Sequence, residues 1–224
     1  MTISNESRSR IKAIFEPIAL AMGRAGLTPD GLTLIGFAIT VVGAILVGLQ
    51  SWVIGGIVVF VGGVFDMFDG TLARATGQVS KLGAFMDSTF DKLGEIIVFL
   101  GVIAGLQGAG AADVPVLVAA SALGASIMVS YVRAKSDGLG FSSGTGMAAV
   151  GIMPREVRLV IISLGIVLAG TSLGIAALQF ALGVILVGAV ATVIQRIFHV
   201  RAEAKRPPTT PQAGDPAPNG ETNS

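Results

Sequence analysis

The stretch DMFDGTLARATGQVSKLGAFMDSTFD, Asp66–Asp91, decides the reading of this chain. It places four aspartates, Asp66, Asp69, Asp87 and Asp91, between two strongly apolar runs. The run before it, GGIVVFVGGVF, ends at Phe65, and the run after it, EIIVFLGVIAGL, begins at Glu95. Asp66 and Asp69 stand three apart, and Asp87 and Asp91 four apart, so each pair shares one face of a helix. The spacing predicts one helix that carries its acids at its end and a second that carries them at its start. A loop over roughly 76–83 is expected to join them and bring all four carboxylates to one edge of a membrane.

The rest of the chain agrees with a membrane setting. It has 224 residues, 52% hydrophobic and 13% charged, and a mean hydropathy of +0.80. Soluble domains carry about 25% charged residues, so the composition excludes an ordinary soluble domain. There is no cysteine, which excludes disulfides, thiolate metal sites and a cysteine nucleophile. The fold class expected is an all-α integral membrane protein. Six transmembrane helices are expected, at about 33–50, 52–75, 84–107, 114–135, 156–171 and 173–196. The fifth is short for a full crossing.

The N-terminus is too polar for a secretory signal peptide. Ile11, Phe15, Ile18 and Met22 recur at helical spacing, with Arg8, Lys12 and Glu16 on another face. This pattern predicts an interfacial amphipathic helix before the first span. Residues 1–201 are expected to form one membrane domain. Residues 202–224, polar and proline-rich, are expected to be a disordered tail.

Six spans put both ends of the chain on one side, and the Lys and Arg distribution gives the side. All fifteen fall on a single set of loops and ends, and the loops near 50–51, 107–113 and 170–172 contain none. The positive-inside rule then predicts an inner-membrane protein with both termini and the aspartates facing the cytoplasm.

Intramembrane acids are costly and mark a site by default. Four neighbouring carboxylates repel one another, and divalent cations resolve the conflict. An all-oxygen donor set suits Mg²⁺, with Mn²⁺ as the alternative. Two ions, about 3.5–4 Å apart in such sites, commonly serve phosphoryl transfer. Gly70 next to Asp69 allows close approach of a ligand, and Arg74 on the same side can clamp a phosphate.

The string D66-x2-D69-G70-x2-A73-R74-x8-G83-x3-D87-x3-D91 resembles the signature of the CDP-alcohol phosphatidyltransferase family. The resemblance implies an enzyme of phospholipid biosynthesis that uses a CDP-linked lipid and Mg²⁺ and releases CMP. Carried over by position, Asp66, Asp69 and Asp87 would bind two metals, with Asp91 near the second. Asp91 would also be the general base that deprotonates the acceptor. Gly70, Ala73 and Arg74 would line the cytidine diphosphate pocket. The resemblance also implies a homodimer. No nucleic-acid partner is expected; membrane lipids and CDP-diacylglycerol are.

The signature does not name the acceptor. LTPDGLTLIG, Leu27–Gly36, resembles the segment that closes over the nucleotide in bacterial phosphatidylinositol phosphate synthases. Pro29, Asp30, Gly31 and Leu32 are therefore candidates for the CDP pocket, with Thr33 adjacent. Asp30 as a plain helix cap is the rival reading. Ser80 is a further candidate for phosphate contact. Arg133, Lys135, Arg155, Arg158 and Arg196 lie at the ends of the last three spans. They form the expected receptor for a phosphorylated acceptor, inositol 1-phosphate. Positive-inside anchoring accounts for the same residues without an acceptor. Glycerol 3-phosphate, serine or free inositol are the alternative acceptors. A divalent-cation transporter is the rival class, though its acids would be expected nearer the bilayer midplane. Glu95 is expected to orient Asp91 or pair with Lys92, and His199 has no catalytic role assigned.

Overall fold

A computed structural model describes residues 16–141 and 150–205, which form helices and the turns between them. The described part of the first helix, α1, covers residues 16–24. Then follow α2 (Pro29–Gly48), α3 (Trp52–Thr76), α4 (Lys81–Gly108), α5 (Asp113–Gly138), α6 (Arg155–Ala169) and α7 (Gly174–Glu203). No strand occurs among the described residues. The start of the expected amphipathic helix, with Arg8, Ile11, Lys12 and Phe15, lies outside them, as does the expected tail from 206 onward; the first residues of that tail, 202 and 203, instead continue the last helix.

α2, α3, α5 and α7 are long and apolar enough to cross a membrane. The exposed surface is rich in large apolar side chains such as Ile45, Ile54, Leu100, Phe180 and Val187, which suits contact with hydrocarbon rather than water. The chain is a multi-pass membrane protein. α4 falls short as an apolar span because Asp91, Lys92 and Glu95 stand near its middle. α6 has 15 residues, and at 1.5 Å per residue rises only about 22 Å. α7 runs past the expected end at 196 to Glu203, because backbone hydrogen bonding continues where the apolar pattern stops.

The packed pairs α2–α3, α3–α6, α6–α7, α7–α5, α5–α4 and α4–α2 close a ring. α3 and α4 touch each other only sparsely. The loop that joins them predicts direct neighbours; instead α2 packs against both. Glycine makes this close approach available. A Cβ on Gly43 of α2 would lie 2.7 Å from the backbone nitrogen of Val59 on α3. A Cβ on Gly105 of α4 would lie 2.5 Å from the carbonyl oxygen of Val47 on α2. Backbones this close gain dispersion contact in a setting where hydrophobicity cannot drive helix association. The main core then gathers Val47, Val59, Phe99, Leu106, Ile166 and Leu182. A smaller cluster of Ala19, Leu32, Phe68 and Leu72 seats α1 against the acid-bearing end of α3.

The turn between α3 and α4 is shorter than the sequence predicts. α3 continues to Thr76, and only 77–80 lie between the helices. Gly77 ends α3 in the left-handed region, φ 69°, a conformation that costs glycine little. The Ser80 hydroxyl then caps α4 by accepting from the Gly83 amide at 2.9 Å. Thr28 does the same for α2, accepting from the Gly31 amide at 3.1 Å. Asp30 is therefore not the cap; it stands in the first turn of α2.

Candidate active site

The end of α3 and the start of α4 bring Asp66, Asp69 and Asp87 together. Each offers a carboxylate oxygen, and these oxygens lie within 4.8 Å of one another. Asp66 and Asp69 are buried, 8% and 5% exposed, so water screens their mutual repulsion poorly. Protein donors hold Asp69 in place. The Thr33 hydroxyl of α2 donates to its Oδ2, and the Gly70 amide donates to its Oδ1. Thr33 reaches across because α2 and α3 are in backbone contact at this end: a Cβ on Gly36 would lie 3.1 Å from the Asp66 nitrogen.

Asp91 stands one turn farther along α4 and outside that group of three. Its partner is Arg155, the first residue of α6. Arg155 Nη2 approaches Asp91 Oδ1 at 2.5 Å, and Arg155 Nη1 donates to Asp66 Oδ2 at 2.8 Å. One guanidinium thus ties the acid-bearing helices α3 and α4 to α6. The contact with Asp91 Oδ1 is an ion pair without hydrogen-bond alignment, and that oxygen is buried. A cleft lies beside these groups. Asp66, Asp91, Glu95, Arg155 and Arg158 supply its polar wall, and Phe37 and Phe90 contribute to an apolar part. The two rings meet edge to face with centroids 5.0 Å apart.

The nucleotide-side candidates fall on both sides of the 77–80 turn. A Cβ on Gly70 would lie 3.2 Å from Arg74 Nη1, so the exposed arginine lies over the glycine. A Cβ on Gly83 would lie 3.1 Å from Ser80 Oγ and 3.5 Å from Asp30 Oδ1. The first turns of α2 and α4 are therefore neighbours, and the positive ends of the two helix dipoles meet at this rim, which suits phosphate. Pro29, Asp30, Gly31, Ala73 and Ser80 retain exposed surface there. Leu32 does not: it is fully buried with Ala19, Phe68 and Leu72, and its part is to hold the rim.

The five expected acceptor cations separate into distinct environments. Arg155 faces the acids. Arg158 is 2% exposed; it bonds Glu95 through Nε at 2.9 Å and the Met153 carbonyl through Nη1 at 3.0 Å. Arg196, 3% exposed, donates to the Val150 carbonyl at 3.0 Å and to the Val129 carbonyl. Arg133 and Lys135 remain exposed at the end of α5, with Arg133 3.8 Å from Asp137. Glu95 pairs with Lys92 at 2.9 Å, as expected, and also with Arg158. Sequence reasoning missed Thr33 as the partner of Asp69 and Glu95 as the partner of Arg158. Nothing in helical spacing joins residues 36 and 63 positions apart.

The donor set fits a divalent cation. Three clustered carboxylates supply hard oxygen ligands, and among the described residues the cluster contains no histidine.

Comparison with known proteins agrees with this geometry. Residues 26–195 match the family model for CDP-alcohol phosphatidyltransferases. A phosphatidylinositol phosphate synthase of Mycolicibacterium smegmatis is 36% identical over 94% of this chain and 90% of its own. An archaetidylinositol phosphate synthase of Pyrococcus horikoshii is 36% identical over 75% of this chain and 84% of its own. The phosphatidylinositol phosphate synthase of Mycobacterium tuberculosis has been solved with CDP-DAG bound. That structure superposes with a TM-score of 0.74 at 29% identity, over 92% of this chain and 100% of the other. The same enzyme in complex with manganese and citrate gives a TM-score of 0.73 at 30% identity, over 92% of this chain and 96% of the other.

Proposed function

The chain belongs to the CDP-alcohol phosphatidyltransferase family and is a phosphotransferase; on that premise we propose that it transfers a phosphatidyl group from CDP-diacylglycerol to inositol 1-phosphate, giving phosphatidylinositol phosphate and CMP. The observation that carries this reading is Arg155. A fixed cation bridges Asp66 and Asp91 beside the cleft, where a phosphorylated acceptor would meet the acids. The relatives named phosphatidylinositol phosphate synthase support the same acceptor.

Asp66, Asp69 and Asp87 would hold the metal, with Asp91 beside it, and two Mg²⁺ ions are proposed. Bound there, divalent cations would neutralise the diphosphate and stabilise charge on the departing CMP. The chain's own groups orient and move the proton. Thr33 and the Gly70 amide keep Asp69 turned toward its neighbours. Gly70 and Arg74, with the rim formed by Pro29, Asp30, Gly31 and Ser80, receive the cytidine diphosphate. Asp91 takes the proton from the acceptor hydroxyl. The acceptor oxygen then bonds to the lipid-bearing phosphorus while the bond from that phosphorus to CMP breaks. Positioning and fixed charge carry most of the acceleration.

We further propose six spans, α2 to α7, in a single membrane domain over 1–201, with both termini and the acids on the cytoplasmic side. The Lys and Arg distribution supports that orientation. A homodimer is proposed from the family resemblance; cross-linking in native membranes tests it.

The decisive experiment supplies purified protein with labelled CDP-diacylglycerol, Mg²⁺ and a panel of acceptors. CMP release with inositol 1-phosphate supports the reading. Turnover only with glycerol 3-phosphate, serine or free inositol overturns the acceptor and keeps the class. Because one relative is an archaetidylinositol phosphate synthase, the panel includes a CDP-activated ether lipid. Metal flux into liposomes without any transfer would favour a transporter.

A further inference from the structure

Two arginines, Arg155 and Arg158, stand three apart at the start of α6 and share a face of that helix. Both line the cleft, yet their surroundings differ. Arg155 reaches Asp66 and Asp91. Arg158 reaches Glu95, which lies one turn beyond Asp91 on α4.

Cations occupy both oxygens of Glu95. Oε1 accepts from Arg158 Nε at 2.9 Å, and Arg158 Nη2 approaches the same oxygen at 2.8 Å. Oε2 accepts from Lys92 Nζ at 2.9 Å. Glu95 is outside the cluster of three carboxylates, and its side chain is 10% exposed. The guanidinium it holds is also tied to the backbone, since Arg158 Nη1 donates to the Met153 carbonyl at 3.0 Å. The amide of Met153 donates in turn to Thr192 Oγ1 on α7 at 3.0 Å, and that hydroxyl donates to the Gly188 carbonyl at 2.8 Å. A continuous polar chain therefore runs from α4 through the first turn of α6 to α7. Arg155 is two residues from Met153 and three from Arg158, so both bonds fix its approach to the acids.

We propose that Glu95 is a positioning residue for the acceptor: it engages Arg158 and so fixes the first turn of α6, leaving Arg155 as the arginine of that turn that meets the acceptor phosphate. Without Glu95, two neighbouring guanidiniums would face four aspartates and compete for the same carboxylates. This inference rests on the acceptor reading above. It assigns Arg158 a strut's part rather than contact with the phosphate, and it explains why a nearly fully buried arginine stands beside an open cleft.

The test uses the full chain in lipid nanodiscs, with initial rates measured separately against acceptor and CDP-diacylglycerol. Glu95→Gln should raise the acceptor KM by about tenfold or more, with the CDP-diacylglycerol KM within about twofold of wild type. Glu95→Asp keeps the charge but withdraws the carboxylate by one methylene, so it should raise the acceptor KM to a lesser degree. It also decides the matter should the Gln variant fail to fold. The reversed pair, Glu95→Arg with Arg158→Glu, should show a lower acceptor KM than either single reversal, a rescue that a phosphate ligand could not show. An acceptor KM unmoved in both Glu95 variants would falsify the proposal, as would a reversed pair no better than its singles. A fall in kcat with KM unmoved would instead make Glu95 part of the chemistry. If wild-type protein does not turn over inositol 1-phosphate, the acceptor reading fails by itself. The same variants are then measured with the acceptor that does turn over.

Discussion

The Thr33 hydroxyl on α2 donates to Asp69 Oδ2 on α3, joining two buried residues 36 positions apart. Outer partners of this kind orient a ligand carboxylate, and their loss typically weakens metal binding roughly 10–100-fold. Thr33→Val keeps the shape and removes the donor. Its apparent affinity for Mn²⁺, read by titration of the purified protein, should fall by about that factor. Wild-type affinity in the valine variant would leave Thr33 a packing residue.

Asp91 is paired with Arg155 and is not one of the three carboxylates whose oxygens converge, though it neighbours Asp66 through the same guanidinium. Asp91→Asn should therefore retain CDP-diacylglycerol binding and most metal binding. Turnover should fall by about 10²–10⁴-fold, the usual contribution of a general base. Single-turnover CMP release alongside a lipid-binding assay checks both halves, and near-normal turnover would remove Asp91 from that role.

Chelation should abolish transfer, and readdition of Mg²⁺ or Mn²⁺ should restore it. Ca²⁺, which prefers six to eight ligands at longer distances, should restore far less. Retained activity after exhaustive chelation would show that the three carboxylates serve the fold rather than the reaction.

Arg155 and Arg196 should respond differently to truncation. Arg155→Ala removes the cation beside the cleft and should raise the acceptor KM by about 10–100-fold with a smaller effect on CDP-diacylglycerol. Arg196 donates to two backbone carbonyls. Arg196→Ala should cost about 1–3 kcal/mol of stability by leaving them unpaired, seen as a lower Tm in detergent. Equal effects of Arg155→Ala on both substrates would point to anchoring rather than recognition.

Gly43→Val tests the close crossing of α2 on α3. Its side chain would overlap the backbone of α3 at Val59, and overpacking costs about 1–3 kcal/mol. Because the same crossing sets Thr33 against Asp69, metal affinity and Tm should fall together. A variant with lowered Tm and unchanged metal affinity would separate the crossing from the site.

The helices themselves were legible because apolar length and polar interruption are local properties. The span expected at 52–75 is found as the apolar helix Trp52–Thr76; a helix is found where 84–107 was expected, Lys81–Gly108, but its charges keep it from reading as an apolar span. The clustering of Asp66, Asp69 and Asp87 was legible because acids are costly in a membrane, and spacing assigned each pair of aspartates to one helix face. The acceptor cations were legible only as candidates, since lysine and arginine gather at cytoplasmic helix ends for anchoring as well.

Helical phase tells which residues share a face, but not which helix that face meets. Only the tertiary structure set α2 against both α3 and α4, joined Thr33 to Asp69, and gave Arg155 to Asp66 and Asp91 while Glu95 took Arg158. Those pairings depend on backbone approach at Gly36, Gly43 and Gly105 and on where α6 returns across the acids. The sequence by itself therefore determined a membrane bundle with a carboxylate site at one edge. The packing of the ring decided which of its charges face the cleft and which hold it in shape.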